Sequence, residues 1–501
     1  MTNPFARKST PEVLSFVFLC FCLLVTCYFI YRFEKGSFYI PYHVDETIFY
    51  NQARAFYETG SVKAVVCIEE QVSFIFGANW YGVFYSFLFG LPAMLFGFSQ
   101  KYCIWMNLVF TISCLPILYY LGLKKGKEWL VMPVFLMFFV VAAMPYSWFP
   151  ESFNILLGVL LTYMLFRIAE KGDGLVVYLL LCLLFSFIRP TWVFWTIGVL
   201  PFCKNRRELY SKVLICIGCV FIAFLYVRFF CAPFFLKSTS FFTLFFKLEF
   251  KSGFIALAEN ARSIGGNLYR IYSIENYSPW TVFKILFNTL HLYWIYKALK
   301  SKDKLLWAVT LICTVSMVVF VLMYSVRYPY YMKLSGSFYL LLFIFTIYRL
   351  NSKAAIIFYL CFMFSGYLYS IPSITKNIIA HQRLGNDTAL GACPLIEKLK
   401  QIKSFMHENQ DHLVLFCNYE MAPVQQTAFK CSLPLNDDRG NSIRYTLNMF
   451  DPAIPYDSNF RFHNRMQVDY ILSRKPLTLK HVELLDSNEY FMFYRNLKPL
   501  N

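Results

Sequence analysis

Long apolar runs alternate along most of the chain with short turns that carry lysine and arginine. The first run, LSFVFLCFCLLVTCYFIY at residues 14–31, has no charged residue, and about 20 apolar residues suffice to cross a bilayer as a helix. This pattern predicts about eleven transmembrane helices. They lie at residues 14–31, 102–121, 130–146, 152–168, 175–188, 191–203, 213–230, 282–299, 305–325, 336–350 and 354–371.

The basic turns orient these helices. KKGKE, CKNRRELYSK and KALKSKDK all fall on one side, together with Arg7 and Lys8, so the positive-inside rule makes this side cytoplasmic and places the C-terminus outside. Residues 79–97 are also apolar, but counting them as a span would put KKGKE outside. We therefore expect a re-entrant or interfacial helix there, on the outer side, where protein shields irregular backbone.

The composition changes near residue 373. The residues before it, 1–372, form the predicted transmembrane domain, with outer loops at 32–101 and 231–281. In residues 373–501, CPLIEKLKQIKSFMHEN has helical periodicity, while HLVLFCNY and VDYILSR are typical of short buried strands. The fold class predicted is all-α and polytopic, with a small extracytoplasmic α/β domain at the C-terminus.

Charge adds to this picture. The formal net charge of +18 would suggest nucleic acid as a partner of a soluble chain. Here only 15% of residues are charged and 58% are hydrophobic. The lysines and arginines lie mainly in the turns, so orientation of the helices in the membrane and contact with anionic lipid explain the positive charge. The sequence predicts an integral membrane protein with no nucleic-acid partner, and the composition is typical of a bacterial inner membrane.

Two adjacent carboxylates follow the first run, in YHVDETIFYNQAR. Asp45 and Glu46 lie in the outer loop, where a carboxylate can act as general base on an acceptor hydroxyl or bind a divalent metal, with His43 as a further candidate ligand. A plainer interpretation is that they cap the helix that follows. On composition alone, capping is the commoner role.

Three further charged residues stand at predicted outer boundaries. Glu151 opens a span after Pro150, as a helix-start acid or as a second functional acid. Arg189 interrupts an apolar hairpin, and an arginine within lipid costs about 2.5–3.5 kcal/mol, so it is expected to face a cavity or partner. Arg327 in SVRYPYYMK either contacts lipid headgroups or, like Arg189, binds phosphate through its forked donors.

Familiar cofactor motifs are missing from the sequence. It holds no P-loop, HExxH or dinucleotide fingerprint, so no nucleotide cofactor is expected, and a divalent metal stays open. An activated donor would then be carried by a lipid.

In order along the chain, these segments resemble the GT-C superfamily of membrane glycosyltransferases, which includes protein O-mannosyltransferases, lipid A aminoarabinose transferases and the RgtA/B/C/D-like group. The resemblance covers residues 10–370. Its motifs are VDETIFYNQARAFYETGSV, NWYGVFYSFLFGLPAMLFG, FPESFNILLGVLL, FIRPTW and RYPYYMKLSG. In the second motif Trp80-Tyr81-Gly82 replaces the usual Gly-Pro, and the second outer acid is glutamate.

The resemblance implies a polyprenyl-phosphate sugar donor, a glycan, lipid or protein acceptor, and inversion at the anomeric carbon. Asp45 would be the base. Glu46 and Glu151 would orient acceptor or metal, and Arg189 and Arg327 would hold the donor phosphate. Two other classes compete with this interpretation, namely a polytopic lipid or solute transporter and an inactive glycan-binding scaffold. A transporter of the repeat type would carry a second copy of the VDETIFYNQAR segment, and the sequence has none.

Overall fold

The structure is a computed structural model. It describes the following residues, and structural statements below refer to them: 10–35, 49, 53, 56–57, 84, 86–98, 102–123, 125–142, 146–147, 149–226, 244–245, 248–262, 281–323, 331–376, 378–379, 413–417, 444–448, 470–473, 476, 482–487 and 492–497.

Helices account for most of the described residues. The α-helices are α1 Thr10–Glu34, α2 Leu91–Phe96, α3 Tyr102–Leu123, α4 Glu128–Ala142, α5 Glu151–Lys171, α6 Leu175–Ser186, α7 Arg206–Tyr226, α8 Phe250–Arg262, α9 Thr281–Leu299, α10 Lys304–Met323, α11 Tyr331–Arg349 and α12 Lys353–Lys376. A π-helical turn, Ser86–Gly90, precedes α2, and a 3₁₀ helix, Pro190–Phe202, lies between α6 and α7.

Several of these helices can cross a membrane. Within the described ranges, five are long and apolar enough to do so by length and composition, namely α1, α3, α5, α7 and α12. Shorter apolar helices lie in α4, α6, α10 and α11 and around α2. The chain is therefore an integral membrane protein with a largely helical fold, while the number of about eleven crossings stays a prediction.

The chain divides into two compact units. One unit comprises Met1–Phe33, Cys103–Phe229 and Lys237–Ile378, and so contains nearly all the long helices. The other comprises Glu34–Tyr102, Phe230–Leu236 and Ile379–Asn501.

The apolar segment 79–97 forms irregular helix. The π turn Ser86–Gly90 passes directly into α2, and Gly97 ends α2 with a φ of 87°. A Cβ on Gly90 would lie 2.6 Å from Cδ1 of Phe56, so glycine permits this close packing. The break in regular helix agrees with the Gly- and Pro-rich sequence, and the re-entrant or interfacial position stays a prediction.

The turn between α5 and α6 depends on two glycines. Gly172 and Gly174 have φ values of 72° and 86°, a region that glycine enters without steric cost. The Gly172 N–H donates to the Ile168 carbonyl, which ends α5. Between the glycines, Asp173 accepts two hydrogen bonds from Arg167, and this pairing holds the pKa of Asp173 below its ordinary value. The turn thus reverses the chain after α5.

A lysine in the turn before α4 ties that turn to the end of α11. The ammonium of Lys127 donates to the Ile347 carbonyl at 3.0 Å and also to the Leu350 carbonyl. Cations at a helix C-terminus satisfy its last carbonyls and favour its dipole. Partial burial, followed by the nearby charge of Lys125, lowers the pKa of Lys127.

The second unit contains a five-stranded mixed sheet. Its strands are β1 Leu413–Cys417, β2 Arg444–Asn448, β3 Tyr470–Ser473, β4 Val482–Ser487 and β5 Met492–Asn496, in the spatial order β2-β1-β3-β5-β4. β1 pairs in parallel with β2 and β3, whereas β5 pairs antiparallel with β3 and β4. β1 and β3 lie where the sequence predicted strands, and the predicted helix at CPLIEKLKQIKSFMHEN lies outside the described residues.

Candidate functional site

The first turn of α5 presents a short polar row. Glu151 is the first residue of the helix after Pro150, and Asn154 follows three residues later, so their side chains lie on one face. An acid in the first turn is favoured by the positive end of the helix dipole. Both residues are nevertheless buried, with exposed fractions of 3% and 1%, and so each needs a polar partner.

The 3₁₀ helix supplies a matching row. Side chains three residues apart eclipse one another in this geometry, and here they are Arg189 at the N-cap, Trp192 and Trp195. The row continues to Gly198 and Pro201. A Cβ on Gly198 would lie 2.6 Å from Cδ1 of Ile312, so this position packs closely against α10. A 13-residue run at about 2.0 Å per residue extends about 26 Å, close to the thickness of a bilayer core.

The two rows pair side by side. Nη1 of Arg189 lies 3.0 Å from Oε2 of Glu151, and one 3₁₀ turn later the indole N–H of Trp192 donates to Oδ1 of Asn154 at 3.3 Å. The spacing of three residues in both helices is what lets both contacts form at once. Sequence reasoning singled out both members of the ion pair but did not predict their contact, because 38 residues separate them.

A third helix completes the packing around this pairing. The hydroxyl of Ser337 in α11 donates to the backbone carbonyl of Asn154 at 3.1 Å. A Cβ on Gly158, one turn further along α5, would lie 2.8 Å from Cβ of Ser337 and 3.3 Å from Cη2 of Trp192. Glycine at this position therefore lets α5, α11 and the indole approach one another.

A partly open cleft borders the paired rows. The empty volume within it, including the part that is open to solvent, is about 350 Å³. Its walls come from the 3₁₀ helix, α10 and α11 and combine one cation, three hydroxyl groups and four aromatic rings. The lining residues are Arg189, Thr191, Trp192, Phe194, Trp195, Ser316, Val319, Ser337 and Phe338.

The ion pair sits in a setting of low polarity. The side chains of Arg189 and Glu151 are 6% and 4% exposed, and charges withdrawn from water this far persist only when they are paired. Glu151 thus compensates the cation, and Arg189, whose guanidinium is a strong hydrogen-bond donor, is also among the residues that line the cleft. Such a donor suits an anionic group with oxygen atoms.

The other predicted site residues are not placed by the structure. Asp45, Glu46, His43 and Arg327 lie outside the described residues, so their proposed roles as base, acceptor-orienting acid, metal ligand and phosphate ligand stay predictions. Within the described ranges, no group of three or more His, Cys, Asp or Glu side chains stands close enough together to hold a metal ion.

Comparison with solved structures adds information about the fold. The crystal structure of the Archaeoglobus fulgidus oligosaccharyltransferase, a complex with zinc and sulfate, matches with a TM-score of 0.52, over 91% of this chain and 68% of that chain, at 11% sequence identity. Oligosaccharyltransferases are GT-C glycosyltransferases. The fold is GT-C-like. At this identity the likeness concerns the fold, and neither a family model nor any curated protein matches the sequence.

Sequence reasoning missed several residues around the ion pair and the cleft. Asn154, Trp192 and Ser316 were not singled out, although the first two hold the rows together. One signal for the 3₁₀ row stands in the sequence. From Arg189 onward, RPTWVFWTIGVLP repeats a distinctive residue every third position, as Arg, Trp, Trp, Gly and Pro. A period of three is that of a 3₁₀ helix, whereas a lone serine in an apolar run carries no comparable signal.

Proposed function

We propose that this protein is a membrane glycosyltransferase that moves a sugar from a polyprenyl-phosphate-linked donor to a glycan, lipid or protein acceptor on the non-cytoplasmic face. The observation that carries the proposal is a buried arginine, Arg189, in the wall of an aromatic cleft within a GT-C-like fold. A phosphodiester is an anion with oxygen acceptors, which is the chemistry that a guanidinium recognises.

In the proposed reaction an acceptor hydroxyl oxygen attacks the anomeric carbon from the face opposite the phosphate, so the configuration inverts. A new glycosidic C–O bond forms, and the bond from the anomeric carbon to the phosphate oxygen breaks. Its electron pair stays on that oxygen, leaving polyprenyl phosphate. Asp45 takes the proton of the acceptor hydroxyl as general base, and Glu46 orients the acceptor.

The role proposed for Arg189 is to stabilise the negative charge that grows on the leaving phosphate. Fixed donors in a site with little water do this well, because they need not reorganise as the charge develops. Arg327 is proposed as a second phosphate ligand. The N-terminus of α5 lies at Glu151 and that of the 3₁₀ helix at Arg189, and helix N-termini favour bound anions.

The geometry supports a narrower role for Glu151 than an acceptor- or metal-orienting acid. Its carboxylate contacts Nη1 of Arg189 at 3.0 Å, so we assign it to holding the guanidinium in place. A group fixed in this manner starts the reaction already oriented, which reduces the entropic cost of catalysis.

The proposal is tested with Asp45→Asn, which keeps the shape of the side chain and removes its basicity. Loss of a positioned general base lowers turnover by about 10²–10⁴-fold. A matched control is Asp173→Asn, since this aspartate lies in the turn after α5, paired with Arg167, and has no proposed role in the chemistry. Sugar transfer at the wild-type rate by a folded Asp45→Asn protein would eliminate this base.

A further inference from the structure

Ser316 is one of the cleft residues that bring a polar group to the open space. It lies in α10 and is 6% exposed, and no hydrogen bond of its hydroxyl is found among the described residues. Some other buried helix hydroxyls bond back to their own helix, as Thr310 does to the Leu306 carbonyl at 2.9 Å. Ser316 lines the cleft instead.

The Ser316 hydroxyl oxygen is not among the fully buried unpaired polar atoms of the described residues, so it reaches the open space of the cleft. A ligand that fills this space buries it. Placing it against purely apolar material costs about 1–3 kcal/mol on protein mutational scales. If a polyprenyl chain filled the cleft beside Ser316, the hydroxyl would have no hydrogen-bond partner and complex formation would be less favourable by this amount. A ligand atom that accepts a hydrogen bond removes the cost, so the chemistry of Ser316 favours the polar part of the donor.

The only cationic side chain in the described lining of the cleft is Arg189. Ser316 and Arg189 come from different walls, α10 and the N-cap of the 3₁₀ helix, with Trp192, Trp195 and Phe338 among the residues that line the space around them. Hydrogen bonds are electrostatically stronger in surroundings of low polarity. An oxyanion between the serine and the arginine would receive a hydrogen bond from each wall.

We propose that the Ser316 hydroxyl binds a non-bridging oxygen of the donor phosphate, together with Arg189. This assignment rests on the proposed function, because it takes the phosphate of a polyprenyl-linked donor as the ligand. It makes α10 part of donor recognition and assigns the aromatic walls of the cleft to excluding water from the phosphate.

The test is a binding measurement on the purified full chain in lipid nanodiscs. The probes are a short polyprenyl phosphate and the matching polyprenol, which lacks the phosphate. The variants are Ser316→Ala, Ser316→Thr, which keeps a hydroxyl, and Arg189→Met. The control is Ser370→Ala, because Ser370 is also buried and its hydroxyl donates to the Gly366 carbonyl of its own helix at 2.7 Å.

We expect Ser316→Ala to weaken binding of the phosphate about 10-fold or more, as for a hydrogen bond to a charged group. Binding of the polyprenol should be unchanged, Ser316→Thr should retain most of the phosphate affinity, and Ser370→Ala should behave as wild type. Phosphate affinity unchanged in Ser316→Ala while Arg189→Met weakens it would overturn the role of Ser316 alone. A wild-type protein that does not distinguish the phosphate from the alcohol would instead contradict the proposed function.

Discussion

The buried pair Arg189–Glu151 offers the sharpest test of the architecture, because loss of one partner of a buried ion pair changes the free energy of unfolding in a known direction. The charged atoms lie 3.0 Å apart, and both side chains are at least nine-tenths buried. Removing one partner of such a pair leaves an uncompensated buried charge and costs about 3–5 kcal/mol. Replacing both by uncharged residues of similar size is often close to neutral.

We therefore expect Glu151→Gln and Arg189→Met each to lower the free energy of unfolding by about 3–5 kcal/mol. The double variant should recover most of that loss, so the coupling, which is the sum of the two single losses minus the loss in the double variant, should be at least about 4 kcal/mol. The assay is unfolding of the purified protein in mixed detergent micelles, followed by far-ultraviolet circular dichroism. The four proteins are compared at one detergent concentration and one pH.

The control cycle uses Arg167 and Asp173, which also form an ion pair but have side chains 39% and 52% exposed. Solvent screens such pairs, so their coupling should be a small fraction of that of the buried pair. The reasoning is refuted if the losses in Glu151→Gln and Arg189→Met add in the double variant to within about 0.5 kcal/mol, the range expected for independent sites.

Two further predictions concern packing and the end of α11. Gly158→Ala should destabilise the protein by about 1–3 kcal/mol, since the new Cβ would meet Ser337. Gly218→Ala places no atom within 4 Å of the new Cβ, so it should stabilise the protein by up to about 1 kcal/mol through helix propensity. Equal effects of the two substitutions in thermal unfolding would contradict this prediction. Lys127→Met should lower stability by about 1–3 kcal/mol through lost charged hydrogen bonds. The pKa of Lys127 is lowered in the folded protein, so the unfolded chain binds more protons between that pKa and about 10.4. The stability of the wild type relative to Lys127→Met should therefore rise with pH over this window. A fall would show that the pKa of Lys127 is raised on folding.

The sequence predicted the helical elements well where apolar periodicity and charge agree. α5, predicted at residues 152–168, is observed at Glu151–Lys171, because the apolar run is bounded by Pro150 on one side and by Gly172 on the other. The hairpin that places Arg189 at its tip is likewise observed, with α6 ending at Ser186 and the 3₁₀ helix beginning at Pro190.

The site was less accessible to sequence reasoning, for physical reasons. Hydropathy distinguishes apolar from polar residues but not a 3₁₀ helix from an α-helix, so the row that aligns Arg189 with Trp192 was not predicted. The contact of Arg189 with Glu151 depends on how three helices pack, which no local pattern encodes. Strands β2, β4 and β5 were also missed, since RYTLN, VELLDS and MFYRN mix charged and apolar residues without a clean alternation.

The most direct test of the central claim is transfer of radiolabelled sugar by the purified wild-type protein in nanodiscs, with a panel of polyprenyl-phosphate sugars as donors. Arg189→Met and Asp45→Asn are measured beside it. The account predicts release of polyprenyl phosphate from one donor of the panel by the wild type and a loss of at least about 100-fold in each variant. A folded wild-type protein that consumes no donor, or a donor turnover that survives both substitutions, would contradict it.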